Sequence, residues 1–115
     1  MIYVIEDDQT FADCIKRYCE NENVKIFPNA IEAMSSIDAE FPDLIFLDVL
    51  LTGPDGFTFL NELVSYKDTA QIPVVIVSSL DLDGKDLSAY GVVGILNKDT
   101  LTPKEVKDYA LRYSH

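Results

Sequence analysis

Five short apolar runs, Ile2–Ile5, Val24–Phe27, Leu44–Leu47, 74–77 and 93–96, recur along the chain and alternate with longer amphipathic stretches. Runs that are apolar almost throughout, rather than strictly alternating, suit strands buried on both faces. That is the condition of a parallel sheet covered by helices on either side. The stretches between them carry helical spacing. Residues 9–20 put Phe11, Ile15 and Tyr18 on one face, and Asn29 precedes a helix with Glu32 at the capping-box position and Ala33, Met34 and Ile37 inward. Asp55 is expected to cap a helix reaching about Tyr66 that buries Phe57, Leu60, Leu63 and Val64. A weaker helix is expected at residues 85–90. The last helix has the clearest start, with Thr102 as cap, Pro103 and Glu105 behind it, and Val106, Tyr109, Ala110 and Tyr113 facing in. The reading is one (βα)₅ α/β domain over residues 1–115, without linker, repeat or low-complexity segment.

Length and charge narrow the partners. A chain of 115 residues can bury one real core. Its net charge of −11 argues against direct contact with nucleic acid or an anionic membrane, and suits cations or a basic protein surface. Glu6, Asp7 and Asp8 interrupt the N-terminal apolar stretch too early for a signal peptide, and no run has the length of a membrane span. Cys14 and Cys19 fall out of phase on the first helix and are expected as free thiols in a reducing, cytoplasmic setting.

In doubly wound sheets, sites form beyond the carboxyl ends of the strands. Here the first run ends in Glu6-Asp7-Asp8, the third in Asp48, and the fourth in Ser78-Ser79, while the fifth leads through Asn97 to Lys98. The second ends in Phe27-Pro28 and offers nothing reactive. Asp48 stands between apolar residues 44–47 and 49–51, where a carboxylate is costly unless something pairs with it. Taken singly, each of these residues has an ordinary explanation: an Asp after a strand is usually a turn or cap residue, acidic residues suit a helix start, and a lone Lys is usually solvated. Taken together they form an acidic trio, Glu6, Asp7 and Asp48, whose mutual repulsion a hard divalent cation would relieve. Beside it, Ser78 and Lys98 offer a hydroxyl and an ammonium suited to phosphoryl oxygens. On that chemistry Asp48 is a nucleophile that forms an aspartyl phosphate.

The stretches VIEDD, LDVLLTGPDG, VVIVSS and GVVGILNK resemble, in order and approximate spacing, the receiver domain of two-component response regulators over essentially the whole chain. The resemblance implies a flavodoxin-like doubly wound parallel sheet of strand order 2-1-3-4-5. It also implies a phosphorelay signalling domain rather than an enzyme, with Mg²⁺ or Mn²⁺ as its metal. Asp48 would be the phosphoacceptor. Asp7 and Asp48 would bind the metal directly, the backbone carbonyl of Leu50 would be a third ligand, and Glu6 would act mainly through water. Ser78 would contact the phosphoryl oxygens, and Lys98 would pair with the phosphoryl group and Asp48. Asp8 falls outside the acidic pair. The implied donor is the phosphohistidine of a histidine kinase or histidine phosphotransfer protein, since this chain's single histidine is His115. An unnamed downstream protein target is implied too, and a homodimer is left open.

The chain departs from the family pattern in places. Thr52 stands where a Pro is usual. Asp99 stands where a Pro commonly follows the lysine in a cis peptide; a non-proline cis bond costs about 3–4 kcal/mol, so Lys98–Asp99 is expected trans with a remodelled loop. Ile95 occupies the place of a switching Tyr or Phe. Residues 78–91 make a short segment weakened further by Gly84, so the fourth helix should be short. Leu50 and Leu80, flanking the approach to phosphorus, cannot hydrogen-bond an attacking water, which would favour a long-lived phosphoryl group. The main alternative is a phosphorylation-independent, receiver-like interaction module. A metal-dependent phosphatase is disfavoured because Leu50 stands where its acid/base Asp would be, and a flavin carrier because no Ser/Thr-rich loop follows the first strand.

Overall fold

The strands β1 (Ile2–Ile5), β2 (Val24–Phe27), β3 (Leu44–Leu47), β4 (Val74–Ser78) and β5 (Val92–Asn97) form one parallel sheet in the order β2-β1-β3-β4-β5. The computed structural model describes residues 1–20, 22–49, 56–79 and 86–113. Expectations placed on Leu50, Thr52, Asp55, Leu80, Gly84, Lys85 and His115 lie outside the described residues. The helices are α1 (Gln9–Tyr18), α2 (Ala30–Ile37), α3 (Gly56–Val64) and α4 (Pro103–Tyr113). Among the described residues, no helix is long and apolar enough to cross a membrane.

Alternation along each strand builds two cores. Tyr3, Ile5, Ile45, Leu47 and Ile76 point to one face, where α2 and α3 supply Ala33, Ile37, Phe59, Leu60 and Leu63. Ile2, Val4, Leu44, Phe46, Val75 and Val77 point to the other, against Ala12, Ile15, Val106 and Ala110 of α1 and α4. Both faces of β1 and β3 are therefore covered, and each buried aliphatic side chain contributes about 1.5–3 kcal/mol relative to exposure. Strand β2, at the edge, is only half-buried over its first three residues.

The caps explain where the helices start. Asp8 takes no part in the acidic pair because it caps α1, accepting from the Phe11 amide at 3.2 Å. Asn29 accepts from the Glu32 amide at 2.9 Å and donates its own amide to the Glu32 carboxylate at 3.0 Å. At α4 the capping box is reciprocal: the Glu105 amide donates to Thr102 Oγ1 at 3.2 Å, and the Thr102 amide to Glu105 Oε1 at 2.9 Å.

Besides α1 ending at Tyr18 and β4 reaching Ser78, three details differ from the sequence expectation. Helix α3 ends at Val64, leaving Tyr66 60% exposed, and its buried stripe includes Phe59 while Phe57 and Val64 are half-buried. The stripe is set by Gly56, which lies so close to β3 that a Cβ there would fall 2.5 Å from Val49 Cα. In place of a fourth α-helix before β5, the described residues hold a 3₁₀ turn, Ser88–Tyr90. Asp86 accepts from both the amide and the hydroxyl of Ser88, at 3.0 and 2.7 Å, and Gly91 follows at φ 78° in the left-handed region. So short a segment cannot repay the cost of nucleating an α-helix. Third, β5 runs one residue further at each end than residues 93–96. As expected, no described peptide bond is cis, Lys98–Asp99 included.

Candidate functional site

Parallel register delivers the candidate residues to one edge. Ile5 and Leu47 end β1 and β3 level with each other, so Glu6 and Asp48 leave the sheet side by side. The backbone ladder continues one step beyond the strands: Glu6 N donates to Phe27 O at 2.9 Å and Asp48 N to Ile5 O at 3.0 Å. Across the sheet, Ser78 closes β4 in register with Asn97, and Lys98 N donates to Ser78 O at 3.0 Å. The backbones that carry Glu6, Asp48 and Lys98 are thus fixed by the same bonds that pair the apolar runs.

One carboxylate oxygen from each of Glu6, Asp7 and Asp48 lies within 4.8 Å of the others. Glu6 and Asp48 are buried, at 4% and 5% exposure, whereas Asp7 is exposed. Lys98 Nζ donates to Asp48 Oδ2 at 3.0 Å and pairs with Glu6 Oε1. Ser78, the last residue of β4, is buried. The carboxylate that the apolar run made costly is therefore paired, as the sequence requires. The Leu50 carbonyl, expected as a further metal ligand, is outside the described residues.

Among the described residues, Lys98 pairs with two buried carboxylates at this edge, and Asp7 lies close to both. Burial pushes the Glu6 carboxyl up to about 7; the hydrogen bond from Lys98 opposes the rise and neighbouring Asp48 adds to it. Burial acts to lower the Lys98 ammonium, but its hydrogen bonds to Glu6 and Asp48 outweigh this and raise its pKa. Glu6 Oε1 meets Lys98 Nζ as an ion pair. Clustered carboxylate donors of this kind fit a hard divalent cation.

One side chain at the site carried no such role in the sequence. Phe11, read only as part of the buried face of α1, has Lys98 Nζ over its ring at 4.8 Å from the centroid. Its place could be anticipated from the cap: α1 starts directly after the acidic residues, so its first inward side chain faces them. By contrast the two cysteines take no part. Cys14 is half-buried and Cys19 buried, and burial pushes the Cys19 thiol up to about 12, far from a reactive thiolate.

Comparison with known proteins agrees with the fold. The family model described as "Response regulator receiver domain" matches residues 2–110. The regulatory protein VanR of Enterococcus faecium is 30% identical over 96 residues, which cover 82% of this chain and 38% of VanR. The chain therefore spans well under half the length of that relative. Among solved structures, the receiver domain of NtrX from Brucella abortus superposes with a TM-score of 0.84 at 24% identity, covering 98% of this chain and 97% of that one. The Mn²⁺-bound form of the response regulator Rcp1 superposes with a TM-score of 0.78 at 21% identity, covering 98% and 94%. Likeness at such identities speaks for the fold, while the family match extends to nearly every residue described above. The chain belongs to the response regulator receiver domain family.

Proposed function

We propose that Asp48 accepts a phosphoryl group from the phosphohistidine of a partner histidine kinase or phosphotransfer protein, and that the phosphorylated chain signals by protein–protein contact. The observation that supports this most is the Asp48 carboxylate, buried at the sheet edge with Lys98 Nζ 3.0 Å away. An Asp48 oxygen attacks phosphorus, the P–N bond to the donor imidazole breaks, and the imidazole nitrogen takes up a proton. Lys98 holds the Asp48 carboxylate by a hydrogen bond beforehand and afterwards offers its ammonium to a phosphoryl oxygen. The Ser78 hydroxyl is proposed to donate to another phosphoryl oxygen. Glu6, Asp7 and Asp48 would hold Mg²⁺ or Mn²⁺, with the Leu50 carbonyl as a further ligand. When bound, the cation neutralises charge on the carboxylates and the phosphoryl oxygens.

Acetyl phosphate with Mg²⁺ should add one phosphoryl group, read by intact-protein mass spectrometry. Asp48→Asn and chelation by EDTA should each abolish the addition. Labelling that persists in either sample overturns the assignment.

A second reading, the phosphorylation-independent interaction module, is favoured by one feature: the 3₁₀ turn Ser88–Tyr90, followed in β5 by Ile95 in place of a switching aromatic ring. Beryllofluoride with Mg²⁺ separates the two readings. A phosphoacceptor site binds it, and an inactive site does not.

A further inference from the structure

We propose that Phe11 is a positioning residue for Lys98, its ring face holding the ammonium over the acidic edge where a phosphoryl group would meet it. This inference rests on the reading of Asp48 as phosphoacceptor, and it concerns a side chain outside the acidic residues, Ser78 and Lys98.

The geometry carries it. Lys98 is a point charge on a flexible stem, with its side chain 19% exposed. Glu6 and Asp48 draw the ammonium toward the sheet edge, but two carboxylates do not fix which way the stem approaches. Phe11 does. Its backbone is pinned by the Asp8 cap at 3.2 Å, and its half-buried ring packs against the core formed with α1 and α4. Nζ lies 4.8 Å from the ring centroid, inside the distance at which the negative face of an aromatic ring attracts a cation. The ring thus occupies the α1 side of Lys98, where water would otherwise solvate the ammonium and let the stem swing outward. The same ring and both buried carboxylates border one narrow gap with Val4, Ile15 and Val77. An aliphatic residue could fill that volume, but it has no electron-rich face to orient a cation.

Two substitutions separate orientation from packing. Phe11→Leu keeps an apolar side chain without the ring, and Phe11→Tyr keeps the ring face. In the metal-free protein, NMR of the Lys98 ε-methylene should show a ring-current shift in wild type and Phe11→Tyr that disappears in Phe11→Leu. Beryllofluoride affinity in the presence of Mg²⁺ should fall about two- to fivefold in Phe11→Leu and be restored in Phe11→Tyr. Should Phe11→Leu fail to fold, Phe11→Ile takes its place in both measurements. Unchanged ε-methylene shifts and affinity in the aliphatic variants would overturn the proposal, as would equal losses in Phe11→Tyr. If wild type itself takes up no beryllofluoride, the phosphoacceptor reading fails, and the ε-methylene shifts still decide whether the ring holds Lys98.

Discussion

The two halves of the sheet are built by one ladder and end differently. Strands β1 and β3 pair in unbroken register and are fully buried, and α1 follows β1 after three acidic residues, the third of them its cap. Strands β4 and β5 pair with a register shift at Val74/Val75, β5 alternates between half-buried and exposed positions before buried Leu96, and the described element before it is a single 3₁₀ turn. The departures from the family pattern that fall in the described residues, Ile95 and Asp99, both belong to the second half. Yet Lys98, the second half's contribution to the site, stays in place because its amide bonds Ser78 O. The ladder, rather than the loop after the lysine, aims the charge. Register protects the chemistry and leaves the flanking segment free to vary.

That contrast can be tested, beginning with the electrostatic load on the β1–β3 half. The carboxyl of Glu6 titrates near 7 in the folded protein, against about 4.3 in an unfolded chain. Between those values the native state holds a proton that the unfolded state has released, so stability falls as pH rises through this window. The loss amounts to on the order of 3 kcal/mol and is complete above pH 7. Urea midpoints in EDTA at pH 5 and pH 8 should show this fall in wild type and a flatter profile in Glu6→Gln. Equal slopes in the two proteins would remove the load from Glu6.

Steric compliance should also differ between the halves. A Cβ at Gly56 would lie 2.5 Å from Val49 Cα and 3.0 Å from Asp48 O, both backbone atoms of the β3 exit. Gly56→Ala should therefore cost about 3 kcal/mol and shift the amide signal of Asp48, since main chain has to move. At Gly94 the collision is with the outer part of the Tyr109 ring, hydroxyl 2.0 Å, Cζ 2.4 Å and Cε1 2.9 Å from the ideal Cβ, so a side chain rather than main chain has to move. Gly94→Ala should cost about 1 kcal/mol and be relieved by adding Tyr109→Leu. Equal costs in urea denaturation, or no relief in the double variant, would break the comparison.

The smallest expected effect concerns output. With Ile95 already 36% exposed, no buried-to-exposed ring movement is available at that position. Phosphorylation should instead change amide hydrogen exchange in Ser88–Tyr90 and the adjoining part of β5, where Leu87 and Tyr90 rest half-buried on the core. Changes confined to α1 would place the responsive surface on the first half of the molecule.

Much of this was legible from residues alone, for reasons that are physical. Continuous apolar runs identify strands covered on both faces, and parallel strands put their carboxyl ends on one edge, so Glu6, Asp7, Asp48, Ser78 and Lys98 could be gathered before any coordinates. The caps at Asn29 and Thr102 were readable because a capping box is a local pattern. What escaped depended on packing between distant segments. Phe59 joins the core of α3 because Gly56 sets the helix against Val49, a fit that spacing within the helix does not reveal. Phe11 faces Lys98 from a helix whose rotation is settled against β1 and α4. That Glu6 is pushed up to about 7 follows from its burial at the packed strand end.

The span of the ion pair between Asp48 and Lys98, 50 residues, has a consequence for how the protein is made. At ordinary rates of synthesis Lys98 is added about 3 to 10 s after Asp48. Through that interval the nascent chain can assemble β1 and β3 with two carboxylates side by side and no ammonium between them. The repulsion weakens the early half of the sheet until β5 docks, unless a divalent cation screens it first. Metal available during translation should therefore hasten folding of the first three strands, quite apart from anything it does for a phosphoryl group.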